Sequence, residues 1–179
     1  RANGNNGFKE QTMRVDACDA VEQTGCSVGR TVVQPSAGTN SKGWMVDLYD
    51  TVTPAGSGER IISNPKIRNN NLFINSLIPE SGTCAKGGDG WVMAFNLADG
   101  DKPAEPVWDI HVDGTFDAQD TFTNVAVTGI KKGFPGESTF LGKKMYTPCE
   151  QGEICEDDVN VGKAQREGRM SWKELYEEN

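Results

Sequence analysis

Alternation of apolar and polar residues with a period of two is the main pattern in this chain. In residues 44–48 the apolar side chains Trp44, Val46 and Leu48 fall on one face, which is typical of a strand with one buried face. In a second stretch, the large apolar residues Trp91, Met93, Phe95 and Leu97 alternate with Val92, Ala94, Asn96 and Ala98. Both stretches are therefore predicted to be β-strands, and the first of them is predicted to be half-buried.

Turn signals separate the predicted strands. Asn69–Asn71 lies between residues 66–68 and 72–78, and Asn tolerates the positive φ of a tight turn, so this stretch predicts a hairpin. Shorter strands are predicted at residues 13–15, 31–34, 59–63, 125–130, 138–141 and 144–147, and residues 168–176 form a strand or a helical turn. Because no amphipathic run has the length of a helix, we expect an antiparallel all-β architecture: a sandwich, a barrel or propeller blades.

The composition supports one domain rich in turns. The chain has 179 residues, of which 36% are hydrophobic and 21 are Gly, and this favours turns and short strands over helices. Residues 1–30 are polar, so we expect a loop or insertion there, followed by a single all-β domain at residues 31–179. Since the chain starts at Arg1 without a Met, we expect it to be a processed product or a fragment whose true amino terminus lies upstream.

Net charge and hydropathy argue against nucleic-acid binding and against a membrane-spanning helix. The net charge is −8 and no basic cluster is present, which argues against binding to nucleic acid. No apolar run approaches the roughly 18–20 residues of a membrane-spanning helix, so no transmembrane segment is expected.

Four of the five cysteines form two close pairs. Cys18 and Cys26 enclose one short polar loop, and Cys149 and Cys155 enclose another. In an oxidising compartment such pairs form local disulfides, each stabilising the fold by about 2–3 kcal/mol. A four-thiolate zinc site is the alternative, although the spacing of the cysteines does not match that of zinc ligands. Cys84 is left over, either buried and free or paired outside this sequence.

The stretch Asp109–Asp120, with the sequence DIHVDGTFDAQD, has the ligand spacing of a calcium-binding loop. Aspartates stand at positions 1, 5, 9 and 12, and a glycine stands at position 6, where such a loop turns sharply. Carboxylates crowded in this way repel one another, and a hard cation bound by oxygen ligands relieves the repulsion. The predicted Ca²⁺ ligands are Asp109, His111, Asp113, Thr115 through its carbonyl, Asp117 and Asp120.

Two positions depart from the calcium loop of a helix–loop–helix site. His111, the only histidine, stands at position 3 in place of Asp or Asn, which leaves metal affinity and metal choice open. Asp120 is shorter than the bidentate Glu usual at position 12. No helical pattern flanks the loop, so we expect it to lie between strands. The alternative is an acidic surface turn that binds no metal.

Three segments follow one another downstream of residue 42: GWMVDLY, GERIISNP and LFINSLIPESGTCAKGGDGWVMAFNLADG. Together with the acidic loop and the closing residues Gly168–Leu175, they resemble the C-terminal region of the PilC/PilY family. Members of this family are large secreted proteins of the type IV pilus machinery. The resemblance covers about residues 42–130 and the last dozen, whereas residues 1–41 carry no match.

The resemblance implies a β-propeller of the quinoprotein-dehydrogenase-like type, or a reduced form of one. It implies a calcium-binding protein at the pilus tip or outer membrane that acts in pilus biogenesis, extension and retraction, or tip adhesion, without enzymatic activity. The implied partners are pilin or minor pilins and a host-cell or surface ligand. A propeller needs at least four blades of about 40 residues, and the propeller of this family is much larger. We therefore expect the chain to be the C-terminal part of a longer chain or a reduced form of the propeller, with another segment or chain completing the β fold.

Other functions have weaker support in the sequence. The chain has a single histidine and no Gly-x-Ser-x-Gly motif, so the sequence gives little support for nucleophilic catalysis. A carbohydrate-binding or quinoprotein-like propeller would use a pocket lined by tryptophan, and the chain has Trp44, Trp91, Trp108 and Trp172. The alternation around Trp44 and Trp91 favours core packing instead. A structural filament or cell-envelope subunit is a third alternative.

Overall fold

The computed structural model describes residues 7–35, 42–50, 57–80, 87–149 and 152–162. In these ranges it contains thirteen β-strands and one short 3-10 helix, Ala118–Asp120. The strands are β1 (Phe8–Ala17), β2 (Val28–Pro35), β3 (Gly43–Asp50), β4 (Arg60–Ile61), β5 (Lys66–Arg68), β6 (Asn71–Pro79), β7 (Gly88–Asn96), β8 (Thr121–Phe122), β9 (Val125–Ala126), β10 (Gly129–Lys131), β11 (Thr139–Leu141), β12 (Lys144–Pro148) and β13 (Ile154–Asp158).

Eight of these strands form the main sheet, in the order β3-β1-β2-β10-β7-β6-β4, with β5 also paired to β6. Strands β11, β12 and β13 form a second sheet, and β8 pairs with β9. The β1–β3 pair is parallel, and the other described pairs are antiparallel. For the described part of the chain, the predicted all-β and mainly antiparallel architecture is confirmed.

Strand β7 is buried on both faces. Residues 91–95 are each at most 3% exposed. Val92 and Ala94 belong to one hydrophobic cluster, whereas Trp91, Met93 and Phe95 belong to a second cluster on the opposite face. The predicted alternation is therefore confirmed, and it places the larger apolar side chains on one face and the smaller ones on the other.

The two clusters place β7 between separate layers. The first cluster contains side chains from the segments after β7, including Trp108, Ile110 and Met145. The second contains Met13 of β1 and Val32 of β2, and the half-buried apolar face of β3 packs against it. Both layers bury apolar area against the same strand, which makes β7 the centre of the core.

The Asn-rich turn forms the predicted hairpin. Strand β5 pairs antiparallel with β6 from Lys66–Phe73 to Arg68–Asn71. Asn69 and Asn70 have φ values of 44° and 61°. A two-residue turn with both φ values positive matches the twist of the strands, and Asn adopts this conformation readily.

The prediction for residues 1–30 differs from the structure. Only a short strand at residues 13–15 was expected there, but β1 is ten residues long and pairs with both β2 and β3. Its polar side chains have partners far along the chain. Lys9 Nζ lies 2.8 Å from the Asp99 carboxylate, and the Gln11 amide donates to the Asp99 carbonyl at 2.9 Å. These distant partners are invisible to local hydrophobic periodicity, which is why the strand was missed.

Two further predictions need correction. The predicted strand at residues 125–130 is divided into β9 and β10. Strand β13 was not predicted, because its acidic sequence looks like an exposed loop. Its charges are neutralised across the fold: Asp157 lies 2.6 Å from Lys132 Nζ, and Glu156 pairs with Lys144. The remaining assignments, to Cys84 and to residues 168–176 including Trp172, lie outside the described residues.

A buried ion pair joins β2 to the segment before β4. The Arg30 guanidinium donates to both carboxylate oxygens of Glu59 at 2.7 and 2.8 Å, and these side chains are 0% and 2% exposed. Ser76 of β6 also donates to Glu59, and the guanidinium lies 4.0 Å from the ring centroid of Trp91. Removing one charge of such a pair is costly, because the other charge stays buried.

We therefore predict that Glu59→Gln destabilises the protein by about 3–5 kcal/mol. The matched control is Glu137→Gln, because Glu137 forms an exposed pair with Lys66 and exposed pairs contribute little. Urea denaturation followed by tryptophan fluorescence measures both variants. Equal midpoints for the two variants would contradict the assignment of a stabilising role to the buried pair.

Candidate functional site

The acidic loop, residues 109–120, is held at both ends by the core and is exposed in the middle. Trp108 and Ile110 are each 1% exposed at its start, and Phe122 is buried just after its end. Asp113 and Asp117 are exposed between these anchors. The loop is followed by β8, and Trp108 before it forms an isolated bridge with Val159, so the loop lies between extended segments as predicted.

Asp120 closes the loop from inside. It is 1% exposed, and one carboxylate oxygen accepts hydrogen bonds from the backbone N–H groups of Ile110 at 2.9 Å and His111 at 3.1 Å. The other oxygen accepts from Asp117 N–H at 3.1 Å. Burial raises the pKa of Asp120, the nearby Asp109 charge adds to this, and the hydrogen bonds from the backbone partly oppose it. One side chain thereby joins the first and last turns of the loop.

Asp109 and Asp113 arrange the exposed part. The Asp109 carboxylate accepts from the backbone N–H groups of Asp113 at 3.2 Å and Gly114 at 2.9 Å. Asp113 accepts from the hydroxyl and N–H of Thr115 at 2.6 and 2.8 Å, and these hydrogen bonds lower the pKa of Asp113. Gly114 has a φ of +80°, so the sharp turn expected at position 6 is present.

The loop's donors suit a hard cation, whereas their positions do not enclose one. Oxygen donors from aspartates are the ligands that Ca²⁺ prefers. Among the described residues, which include the whole loop, no group of three or more His, Cys, Asp or Glu side chains converges on a position that could hold a metal. The structure brings His111 Nδ1 to 3.7 Å from Asp113 Oδ2, while the carboxylates accept hydrogen bonds from backbone N–H groups.

Both predicted disulfides are present. Cys18 and Cys26 are joined with a Cα–Cα distance of 6.0 Å, and Cys149 and Cys155 with one of 5.9 Å. The first closes the turn between β1 and β2, and the second closes the turn between β12 and β13. Because these four cysteines are paired in disulfides, they do not form the alternative four-thiolate zinc site.

The tryptophans that the structure describes are packing residues. Trp91 and Trp108 are buried. Trp44 is half-buried, donates its indole N–H to the Leu97 carbonyl at 3.0 Å and lies 5.8 Å from the Phe95 ring. This confirms the core packing predicted for Trp44 and Trp91.

A polar cavity of about 200 Å³ lies beside the β5–β6 turn. Its lining residues are Asn69, Asn70, Asn71, Asn96, Ala104, Glu105, Val107 and Asn160. No tryptophan lines this cavity, so it does not match the pocket expected for a sugar-binding or quinone-binding propeller.

In the described ranges, no helix is long and apolar enough to span a bilayer.

The C-terminal region of a PilC/PilY-family pilus protein is expected to show an all-β fold, an acidic loop and a set of strand motifs in a fixed order. The described part of this chain shows these features. Comparison with known proteins supports this class. The type IV pilus biogenesis factor PilY1 of Pseudomonas aeruginosa is 24% identical over 188 aligned positions, which cover 96% of this chain. A PilY1 homolog of Xylella fastidiosa is 27% identical over 148 positions, or 82% of this chain.

The fold comparison agrees with the sequence comparison. The crystal structure of the Pseudomonas aeruginosa PilY1 C-terminal domain matches 89% of this chain with a TM-score of 0.65 and 18% identity. No protein-family model matches the chain. The chain spans 15% and 12% of the length of the two relatives and 33% of the solved domain. The resemblance to the C-terminal region of the PilC/PilY family is thus confirmed and extends into residues 1–41, where no match was expected.

Asp113 is exposed and Asp120 is buried, and this difference predicts that the pKa of Asp120 lies above that of Asp113. In metal-free protein, Asp120 should titrate above its usual 3.8 because it is buried, and Asp113 below 3.8 because Thr115 donates to its charged form. Carboxyl ¹³C chemical shifts followed against pH by NMR measure both values. An Asp113 midpoint above that of Asp120 would show that the loop has a different arrangement.

Proposed function

We propose that this chain is a module of a type IV pilus biogenesis protein and that it acts by binding and not by catalysis. The observation that carries the proposal is the similarity to pilus biogenesis factors over 96% of the chain. The motifs that suggested the family lie in β3 and β4, which form the two edges of the main sheet, and in the interior strands β6 and β7. The similarity therefore involves the sheet's architecture and not one peripheral motif.

The same relationship supports proposals on location, partners and fold type. We place the protein at the bacterial cell surface, at the pilus tip or outer membrane, with pilin or minor pilins as partners and a surface or host-cell ligand for a tip adhesin. The described sheets would be part of a β-propeller, or a reduced form of one, that another segment or chain completes. The match to only 33% of the solved domain supports the need for such a segment.

We further propose that Ca²⁺ binds the acidic loop. Asp109, Asp113 and Asp117 carry charges on a loop that is already turned at Gly114 and closed by Asp120. Binding would require Asp113 and Asp117, which are exposed, to turn toward Asp109 and exchange backbone hydrogen bonds for the cation. His111 and the Thr115 carbonyl are the other predicted ligands. The cation would relieve the repulsion among these carboxylates and stiffen a surface loop.

Calcium titration tests this proposal. We expect a dissociation constant on the order of 10⁻⁴–10⁻³ M, the usual range for extracellular calcium modules, measured by isothermal titration calorimetry. At a calcium concentration of about 100 times the dissociation constant, binding adds about 2.7 kcal/mol of stability, which raises the melting temperature by about 5–10 °C.

Asp113→Ala should abolish both effects, because it removes a central ligand without exposing the core. Glu105→Ala is the matched control, since Glu105 is an exposed carboxylate outside the loop. No heat of binding and no effect of a chelator on melting would exclude calcium. An equal loss in both variants would assign the effect to surface charge.

The pilus role is tested in the bacterium that encodes the chain. Asp113→Ala combined with Asp117→Ala, introduced into the full-length protein, should change the amount of sheared surface pili or the twitching distance, whereas Glu105→Ala should not. Immunoblots of secreted protein check that the variants are made equally. If deletion of the whole gene leaves pili and twitching unchanged, the proposed pilus function is wrong.

A further inference from the structure

The turn closed by the first disulfide lies against the acidic loop. We call residues 18–26 the disulfide turn. Its ends are joined by the Cys18–Cys26 bond and by a hydrogen bond from Cys18 N–H to the Ser27 carbonyl at 3.1 Å. Both half-cystines pack against the first hydrophobic cluster, which also contains Ile110. The turn is thus fixed to the part of the core from which the acidic loop starts.

Gly25 contacts the beginning of the acidic loop. Its backbone N–H donates to the Ile110 carbonyl at 2.8 Å. A Cβ atom at this position would lie 2.6 Å from the Asp109 carbonyl oxygen and 2.9 Å from Val112 Cγ2. Since real Cβ atoms do not approach other atoms so closely, any larger residue at position 25 would push the two loops apart.

Gln23 contacts the end of the acidic loop. Its side-chain amide donates to the Gln119 carbonyl at 3.1 Å and to the Thr121 carbonyl at 3.3 Å. The same side chain is held within the turn, because its Oε1 accepts from Asp19 N–H at 3.1 Å. One short turn therefore binds both ends of a loop that lies about 90 residues further along the sequence.

We propose that the disulfide turn is a brace for the acidic loop, in which Gly25 and Gln23 are positioning residues and the Cys18–Cys26 bond keeps them in place. Asp120 joins the two ends of the loop from inside, and the brace joins them from outside. For the cation site, this inference rests on the function proposed above: the brace keeps the loop closed so that fewer degrees of freedom are lost when a cation binds.

Amide hydrogen exchange in the presence of a chelator tests the brace without calcium. In Cys18→Ser combined with Cys26→Ser, the amides of residues 110–120 should exchange about tenfold faster, because loss of the brace weakens hydrogen bonds that each contribute about 1 kcal/mol. The matched control is Cys149→Ser combined with Cys155→Ser, whose disulfide closes the turn between β12 and β13, where the Cys149 N–H donates to the Glu153 carbonyl. Unchanged exchange in the first variant, or equal acceleration in both, would overturn the proposal.

Single substitutions test the positioning residues, and they also serve if the first cysteine variant does not fold. Gly25→Ala and Gln23→Ala should each weaken calcium binding about fivefold or more. Gln23→Ala should change the melting temperature of the calcium-free protein little, whereas Gly25→Ala should lower it, because its Cβ would meet backbone atoms of Asp109 and Ile110. Gly87→Ala is the control for the first, because a Cβ at Gly87 meets only the Glu80 carboxylate at 3.6 Å. Thr24→Ala, an exposed neighbour, is the control for the second.

The two proposals fail in different ways. If native protein binds no calcium, the calcium function is wrong, and the exchange experiment still decides whether the brace exists. If native protein binds calcium and both positioning variants bind it equally well, the brace does not position the cation site.

Discussion

The burial of β7 on both faces is the constraint on which the rest of this structure depends. A strand without a solvent face must find hydrogen-bond partners for its backbone within the protein. Strand β7 pairs with β6 and β10, and beyond β10 the Ala94 N–H donates to the Thr128 carbonyl at 2.7 Å. Its side chains then supply the core of two layers. On the neighbouring β6, the buried polar residue Asn75 donates to Ser138 at 2.8 Å, and Ser76 donates to Glu59, so both of these buried side chains have hydrogen-bond partners.

The sequence predicted those strands whose burial leaves a local periodic pattern. Strands β3, β6 and β7 and the Asn69–Asn70 turn are of this kind, because their apolar spacing or their turn residues are sufficient evidence. Strands β1 and β13 carry polar and acidic side chains whose partners are Asp99, Lys132 and Lys144. Lys9 and Asp99 are 90 residues apart and Lys132 and Asp157 are 25 apart, so a window of neighbouring residues does not contain both partners. Lys144 is only 12 residues from Glu156, but it becomes a partner only when β12 and β13 pair.

The candidate site was predictable to the same extent. The spacing of the aspartates and the glycine identified the loop and its turn. The spacing did not distinguish Asp120, which is buried and holds backbone N–H groups, from Asp113 and Asp117, which are exposed. Nor could it indicate Gly25 and Gln23. A glycine next to a half-cystine in a polar turn carries no local signal of a contact with a loop so far away in sequence.

The position of β10 has a consequence for how the chain acquires its fold. This strand of three residues lies between β2 and β7 and connects the N-terminal strands to the β6–β7 pair. During synthesis, Arg30 and β2 are therefore made about a hundred residues before the strand that completes their hydrogen bonding. Until Lys131 has emerged, β10 is incomplete, so the edges of β2 and β7 that it joins in the described sheet wait for their partner strand. High contact order of this kind makes folding slow and exposes the nascent chain to wrong pairings.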